Sequence, residues 1–338
     1  MTPKKPTRPA AAATNAPPTG SVSAFMERHF RHFNARETLE AARAYKAHLA
    51  SGGKMLLAMA GAMSTAEIGT ILARMIRADK VHAVSCTAAN LEEDIYNLIG
   101  HDDYRQIPNY RELTIEQEAR ILRDGYSRVT DTAIPEKTFK LIDDAFLEVC
   151  RKADADGEQY FPYEYFYQIL DSGVLEPYYH ISPRDSWVVA AREKNIPIYT
   201  PGWEDSTTGN TFAAWVMQKM IGRHAVRPGT EQMEHLINWY IENDRTCSLG
   251  FFQIGGGIAG DFAICAVPTI IIDMKIKIRL WGYFAQISDS VTSYGSYSGA
   301  VPTEKISWMK LDPSTPRFMI NSDATVVAPL IFAYVLGD

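Results

Sequence analysis

Cysteine is scarce in this 338-residue chain, and the four present (Cys86, Cys150, Cys247, Cys265) are scattered, with no C-x-x-C pair and no histidine nearby at zinc-ligand spacing. That argues against a disulfide framework and a zinc site, and the four read as reduced core thiols of a cytosolic protein. Long hydrophobic runs are missing too. The longest, 262–272 and 326–336, are too short to span a bilayer, and each contains a proline. The opening residues are rich in Pro, Ala and Thr and lack an apolar stretch, so 1–22 reads as a disordered tail and not a signal peptide. No basic cluster is dense enough to follow a phosphate backbone, which argues against nucleic acid. The net charge of −6 instead suits cationic ligands.

What is present is ample apolar material: 46% hydrophobic residues against 22% charged, enough for a large globular core. Apolar residues at helical spacing predict a helix over 25–50, stopped at Ser51-Gly52-Gly53. A buried strand over 54–60 breaks at Gly61-Ala62-Met63-Ser64-Thr65, and a helix over 66–78 follows. The next strand, 81–85, ends at Thr87-Ala88-Ala89-Asn90, where Leu91 opens a helix carrying Glu92, Glu93 and Asp94 in its first turn. Further on come a strand over 196–200, a loop over 201–210 and helices over 211–221 and 231–242. A strand over 248–254 then runs into Gly255-Gly256-Gly257, and a last strand covers 282–287.

Strands alternating with helices imply parallel pairing through helical crossovers. The expected architecture is one large α/β domain over 23–338, with a doubly wound, mostly parallel sheet of Rossmann-like type and helices on both faces. The aromatic-rich stretch 101–182 reads as a helical insertion that covers the sheet or forms a subunit contact. Candidate loops cluster at the strand C-termini, where such sheets bind ligands.

The stretch 293–310 carries the most chemistry. Small residues (Gly295, Ser296, Gly299) bring backbone close to something, Tyr294, Tyr297 and Trp308 supply aromatic walls, and Glu304 supplies an acid. Lys310 follows the tryptophan by two positions. An amine against an aromatic wall can be desolvated into a nucleophile for imine chemistry, though a lone lysine is more often a surface residue. The triple glycine could bring amides to a pyrophosphate or make a simple turn. Glu92 and Glu93 could favour a helix dipole. Asp205 and Asp289, each just past a strand, could bind ribose hydroxyls or close a turn.

Taken together, these segments resemble the deoxyhypusine synthase family, in particular its bacterial deoxyhypusine synthase-like branch. Thr87 to Asp94 matches T-A-G-G-V-E-E-D, and Pro201 to Asn210 matches P-x-x-x-D-x-x-x-G-D. Ser298 to Glu304 with Ser307-Trp308-Met309-Lys310 matches S-G-A-x-P-x-E…S-W-G-K. The G-G-G turn and Asp323-Ala324-Thr325…Pro329-Leu330 complete the pattern, over residues 54–336.

The resemblance implies NAD-dependent transfer of an aminobutyl group from a spermidine-like polyamine, through a lysine imine, to an amine acceptor. The acceptor is a protein lysine or a small amine, the latter giving a homospermidine-type product. It also implies a cytoplasmic homotetramer with sites at subunit interfaces. Lys310 would be the imine-forming nucleophile, Trp308 the wall that keeps its amine partly neutral, and Glu93 a proton acceptor beside the nicotinamide. Gly61 to Thr65, Thr87 to Ala89, Asp205, Gly256, Asp289-Ser290 and Asp323-Ala324 would hold NAD. Glu92, Asn210, Asp261, Gly295-Ser296-Tyr297 and Glu304 would face the substrate.

The departures matter as much. Asn210 and Tyr297 stand where the family has aspartates, Asp261 where it has histidine, and Gly61-Ala62 where it has Ser-Asn. Each lost charged hydrogen bond is worth roughly 1.5–3 kcal/mol, so unaltered spermidine recognition should weaken. Asp261 is expected to restore one acid, and Tyr297 to offer a cation–π face. The rival readings are an NAD-dependent amine oxidoreductase without transfer, and an inactive homologue that binds NAD or polyamine.

Overall fold

The computed structural model describes residues 20–292 and 295–338. Of the expected tail, residues 1–19 lie outside the described residues. Ser21 already belongs to the fold, because its side chain accepts from the Ala24 amide and caps helix Val22–His29.

Nine strands follow one another in the chain: β1 (Lys54–Met59), β2 (Ala83–Cys86), β3 (Arg105–Gln106), β4 (Tyr126–Val129), β5 (Thr132–Pro135), β6 (Ile198–Tyr199), β7 (Leu249–Ile254), β8 (Tyr283–Ser288) and β9 (Arg317–Asn321). Every residue of β2, β7 and β8 is buried, the pattern of strands covered on both faces. Six strands form one parallel sheet in the order β6-β2-β1-β7-β8-β9. The order runs outward from β1 in both directions, so the chain reverses between β1 and β7. That is the doubly wound, Rossmann-type arrangement expected from sequence, and its reversal point is where such sheets take ligands.

Alternate side chains of β1 feed two separate cores. Met55, Leu57 and Met59 pack with Leu72, Ile76, Ile331 and Phe332 on one face. Leu56 and Ala58 pack with Leu236, Tyr240, Ala263 and Trp281 on the other. A helix layer therefore lies against each side of the sheet. Among the described residues, no helix is long and apolar enough to cross a membrane.

Several sequence expectations shift. The helix expected over 25–50 is two helices, Val22–His29 and Phe33–Ala50. The break lets both pieces lie against helix Ala324–Leu336, and no Gly or Pro marks it in the sequence. A further strand, β9, follows the one read as the last; it is short, only partly buried and at the sheet edge, so its apolar signal is weak. The 101–182 segment is not purely helical, since β3, β5 and β4 make a small antiparallel sheet within it. Its helices Glu136–Asp156 and Pro162–Ser172 pack Phe146, Tyr165 and Phe166 into the same core as the main sheet.

The helix after β2 begins at Ala88, three residues before Leu91, with Thr87 as the flanking residue. Glu92, Glu93 and Asp94 are therefore past the first turn, and helix-dipole capping of their own helix does not explain them. Likewise the helix expected over 211–221 starts at Thr207, where the Ser206 side chain accepts from the Gly209 amide.

Candidate active site

Two cavities concern the candidate site, and the first opens at the C-terminal side of the sheet. In-register pairing of Met59 with Ile254, Ile254 with Ile287 and Ser288 with Asn321 brings four strand ends level. The loops leaving them line a cavity of ≈ 810 Å³, within the usual range for ligand sites of roughly 300–1,000 Å³. Gly61, Ala62, Met63 and Thr65 form one wall, Asp289, Asp323 and Ala324 another. Gln106, Tyr110 and Thr130 reach over from the inserted small sheet and its loops, a contribution the sequence did not announce.

The first wall is firmly built. Gly61 takes φ +71°, a conformation that favours glycine, and its carbonyl accepts from Thr87 Oγ1 and Asn90 Nδ2, each at 2.7 Å. Ser64 does not line the cavity. It is fully buried, with its hydroxyl donating to the Asn90 carbonyl and accepting from Trp187 Nε1, so it pins the turn from behind. Thr65 Oγ1, by contrast, is buried with no hydrogen-bond partner. The lining is compatible with a dinucleotide: the cavity opens at the strand ends of a doubly wound sheet, and the unpartnered Thr65 hydroxyl and the carboxylates of Asp289 and Asp323 border it. Asp323 Oδ1 is already engaged, accepting from the Thr325 amide and hydroxyl at 2.7 Å each, which leaves Oδ2.

The triple glycine works mainly as a turn. Gly255 and Gly257 have φ +73° and +57°. The Gly255 amide donates to the Ile287 carbonyl and the Gly257 amide to Ser298 Oγ, so both are used within the protein. At Gly256 a Cβ would stand 2.0 Å from Ser298 Oγ, so only glycine lets the 295–300 segment approach this turn. Thr87, Ala88, Ala89, Asp205, Gly256 and Ser290 do not line this cavity. Asp205 is exposed just before helix Thr207–Met217 and Asn210 is exposed in that helix's first turn, where Asn210 Nδ2 is spent on the carbonyls of Glu204 and Ser206.

The three consecutive acids on helix Ala88–Gly100 have separate tasks. Glu92 accepts from the amides of Thr207 and Thr208 at 2.9 and 2.8 Å, capping helix Thr207–Met217. Asp94 accepts from Ser186 Oγ and from the amides of Trp187 and Val188, capping helix Trp187–Glu193. Between them Glu93 receives one long bond, from the Thr65 amide at 3.3 Å. Burial raises its pKa to about 7, opposed by its contact with Thr65 and helped by the neighbouring Glu92 charge. Glu93 thus stands behind the cavity wall with a titration range suited to accepting and returning a proton. Glu92 is placed as a structural pin and touches neither cavity.

The second cavity, of ≈ 390 Å³, gathers Asp261, Gly295, Ser296, Tyr297, Glu304, Trp308 and Lys310, all expected from sequence. Tyr294 and Ser293 lie outside the described residues. Lys310 is 6% exposed, its amine 3.1 Å from Asp261 Oδ1 and 5.4 and 5.8 Å from the ring centroids of Tyr297 and Trp308. The Trp308 indole is 63% exposed, an aromatic wall with one open face.

Two expectations change here. Asp261 does not stand free for a substrate amine, because it is the counter-ion of Lys310. Tyr297 does not offer an empty cation–π face, because Lys305 and Lys310 already lie over it and its hydroxyl donates to Gln253 Oε1 at 2.8 Å. Three lining or supporting residues escaped sequence reading. Cys265, taken for a core thiol, is only partly buried and donates toward Asp261 Oδ1 at 3.4 Å. Gln253 is hidden in a strand, and Lys305 reads as a surface lysine. Among the described residues, no group of three or more His, Cys, Asp or Glu could hold a metal ion.

The deoxyhypusine synthase family model matches residues 25–335. A deoxyhypusine synthase-like protein of Thermosynechococcus vestitus is 27% identical, over 94% of this chain and 79% of its own length. "Probable deoxyhypusine synthase 2" of Archaeoglobus fulgidus is 26% identical, over 84% of this chain and 87% of its own. Among solved structures, a protein assigned as a deoxyhypusine synthase in Entamoeba histolytica superposes with a TM-score of 0.57 at 13% identity, covering 92% of this chain and 91% of that one.

Proposed function

Since this chain belongs to the deoxyhypusine synthase family, we propose that it moves an aminoalkyl group from a polyamine-type secondary amine to an amine acceptor through Lys310. The observation that carries this reading is the Lys310 amine, almost wholly buried yet facing a cavity, with a carboxylate 3.1 Å away. Thr65, Asp289 and Asp323 would hold NAD at the strand ends, where it would supply reversible hydride chemistry for the carbon beside the donor's secondary nitrogen.

The residues of the chain account for the remaining steps. Lys310 Nζ must shed a proton before it attacks the oxidised carbon, and Asp261 is the acceptor in reach. The new Nζ–C bond forms as the old C–N bond breaks, and the leaving diamine carries away the proton. An acceptor amine then displaces Lys310 by the same exchange, which regenerates the free lysine. Trp308 supplies the apolar wall that keeps water from hydrolysing the imine. Glu93, behind Thr65, would hold the proton released as the donor is oxidised.

We also propose a homotetramer with its sites at subunit interfaces, as the family resemblance implies, where a second subunit would cover the exposed Trp308 indole. We place the protein in the cytoplasm, where four free thiols persist. Hydride accounting tests the reading. With polyamine donor and amine acceptor both present, NADH should not exceed the concentration of sites while product accumulates. NADH that rises with every turnover would identify an amine oxidoreductase without transfer.

A further inference from the structure

Lys305 lies on the short helix Glu304–Ser307 and lines the same cavity as Lys310. It is 3% exposed, and its amine sits 5.0 and 4.8 Å from the ring centroids of Phe284 and Tyr297. Its one hydrogen bond among the described residues runs to the Ala300 carbonyl at 3.4 Å, which is long. An ammonium has three donors, so two point to no described partner. None of the described carboxylates comes within ion-pair reach of it. Asp261 is committed to Lys310, and Glu304 is exposed at the rim. Burial and the nearby Lys310 charge lower the Lys305 pKa to about 8, which leaves it largely protonated at neutral pH.

A buried ammonium with idle donors facing a cavity is costly unless something fills it. A bare polyamine is a poor filler, because it brings further positive charge toward two lysines. We propose that Lys305 receives the carboxylate of the ligand, so that the Lys310 cavity takes an amine of amino-acid type, carrying both an ammonium and a carboxylate. Glu304 at the rim is the acid left for the ligand's ammonium. This deepens the transfer reading of the same site and rests on it.

The test compares ligand pairs that differ by one carboxylate, ornithine against putrescine and lysine against cadaverine, by calorimetry on the NAD-loaded full chain. Each amino acid should bind about 10- to 100-fold more tightly than its decarboxylated partner, the range of one charge-assisted hydrogen bond. Lys305→Met, which keeps the apolar stem, should erase that gap, and Lys305→Arg should retain it. Diamines binding as tightly as the amino acids, a gap that survives in Lys305→Met, or no binding of either class would each overturn the proposal. The wild-type comparison decides even where a variant fails to fold. If the diamines win while a polyamine still leaves a borohydride-stable adduct on Lys310, the transfer reading stands and this inference falls. If the preference holds and no adduct forms, the reverse is true.

Discussion

Met309 stands between the Trp308 indole and the Lys310 amine with φ +54°, where the family pattern carries glycine. A non-glycine residue in that region costs roughly 1–2 kcal/mol, partly offset by the greater freedom glycine has when unfolded, about 0.5–1 kcal/mol. Met309→Gly should therefore stabilise the protein by up to about 1 kcal/mol, read as a rise in the denaturant midpoint. A loss of stability would mean that the methionine side chain packs more than its backbone costs. Glu93 gives a second prediction at this scale. Its folded pKa of about 7 exceeds the ordinary glutamate value of 4.5, so the folded state binds the proton more tightly. The stability this supplies is complete below 4.5 and is lost as pH rises through 7. Glu93→Gln cannot ionise, and it should gain on wild type by roughly 2–3 kcal/mol between about pH 5 and pH 8. Denaturant unfolding at both pH values measures it; a gap that ignores pH would mean the carboxyl titrates normally. The same variant should lose transfer activity.

At the scale of elements, one helix organises two others. Glu92 and Asp94, either side of Glu93, hold the N-termini of helices Thr207–Met217 and Trp187–Glu193. Asp94→Ala would leave the Ser186 hydroxyl and two amides unpaired in a buried place, costing about 2–4 kcal/mol. Thermal unfolding should show the loss, while the labelling chemistry at Lys310 survives below the new midpoint. These roles are illegible in the sequence because Leu91 looks like the helix start, which puts the three acids in a first turn, whereas the helix begins at Ala88. Lys305 was hidden for a similar reason: in the run Glu304-Lys305-Ile306 it looks like a solvated residue, and only the packing of a four-residue helix over Phe284 and Tyr297 turns it inward. The 293–310 motif was legible because glycine, serine and Trp-x-Lys carry a pattern of their own.

For the whole molecule, the sheet was readable because strands covered on both faces are continuous apolar runs, as in β1 and β7. The edge strand β9 is partly exposed and lacks that contrast, and the antiparallel β3-β5-β4 unit is built from strands as short as two residues. The second miss matters for function, since that unit roofs the strand-end cavity. The first cavity lies where the parallel strands end, and the Gly256–Ser298 contact ties its loops to those that line the Lys310 cavity.

The central claim concerns one amine, and mass spectrometry of the intact protein tests it most directly. The full chain would be mixed with NAD and spermidine and reduced with borohydride, beside a Lys310→Arg control that keeps a cation next to Asp261. The account predicts a single aminobutyl adduct on wild type that requires NAD and is absent from the control. An adduct that persists in Lys310→Arg, or none with any polyamine or amino-acid amine while NAD is bound, would contradict it.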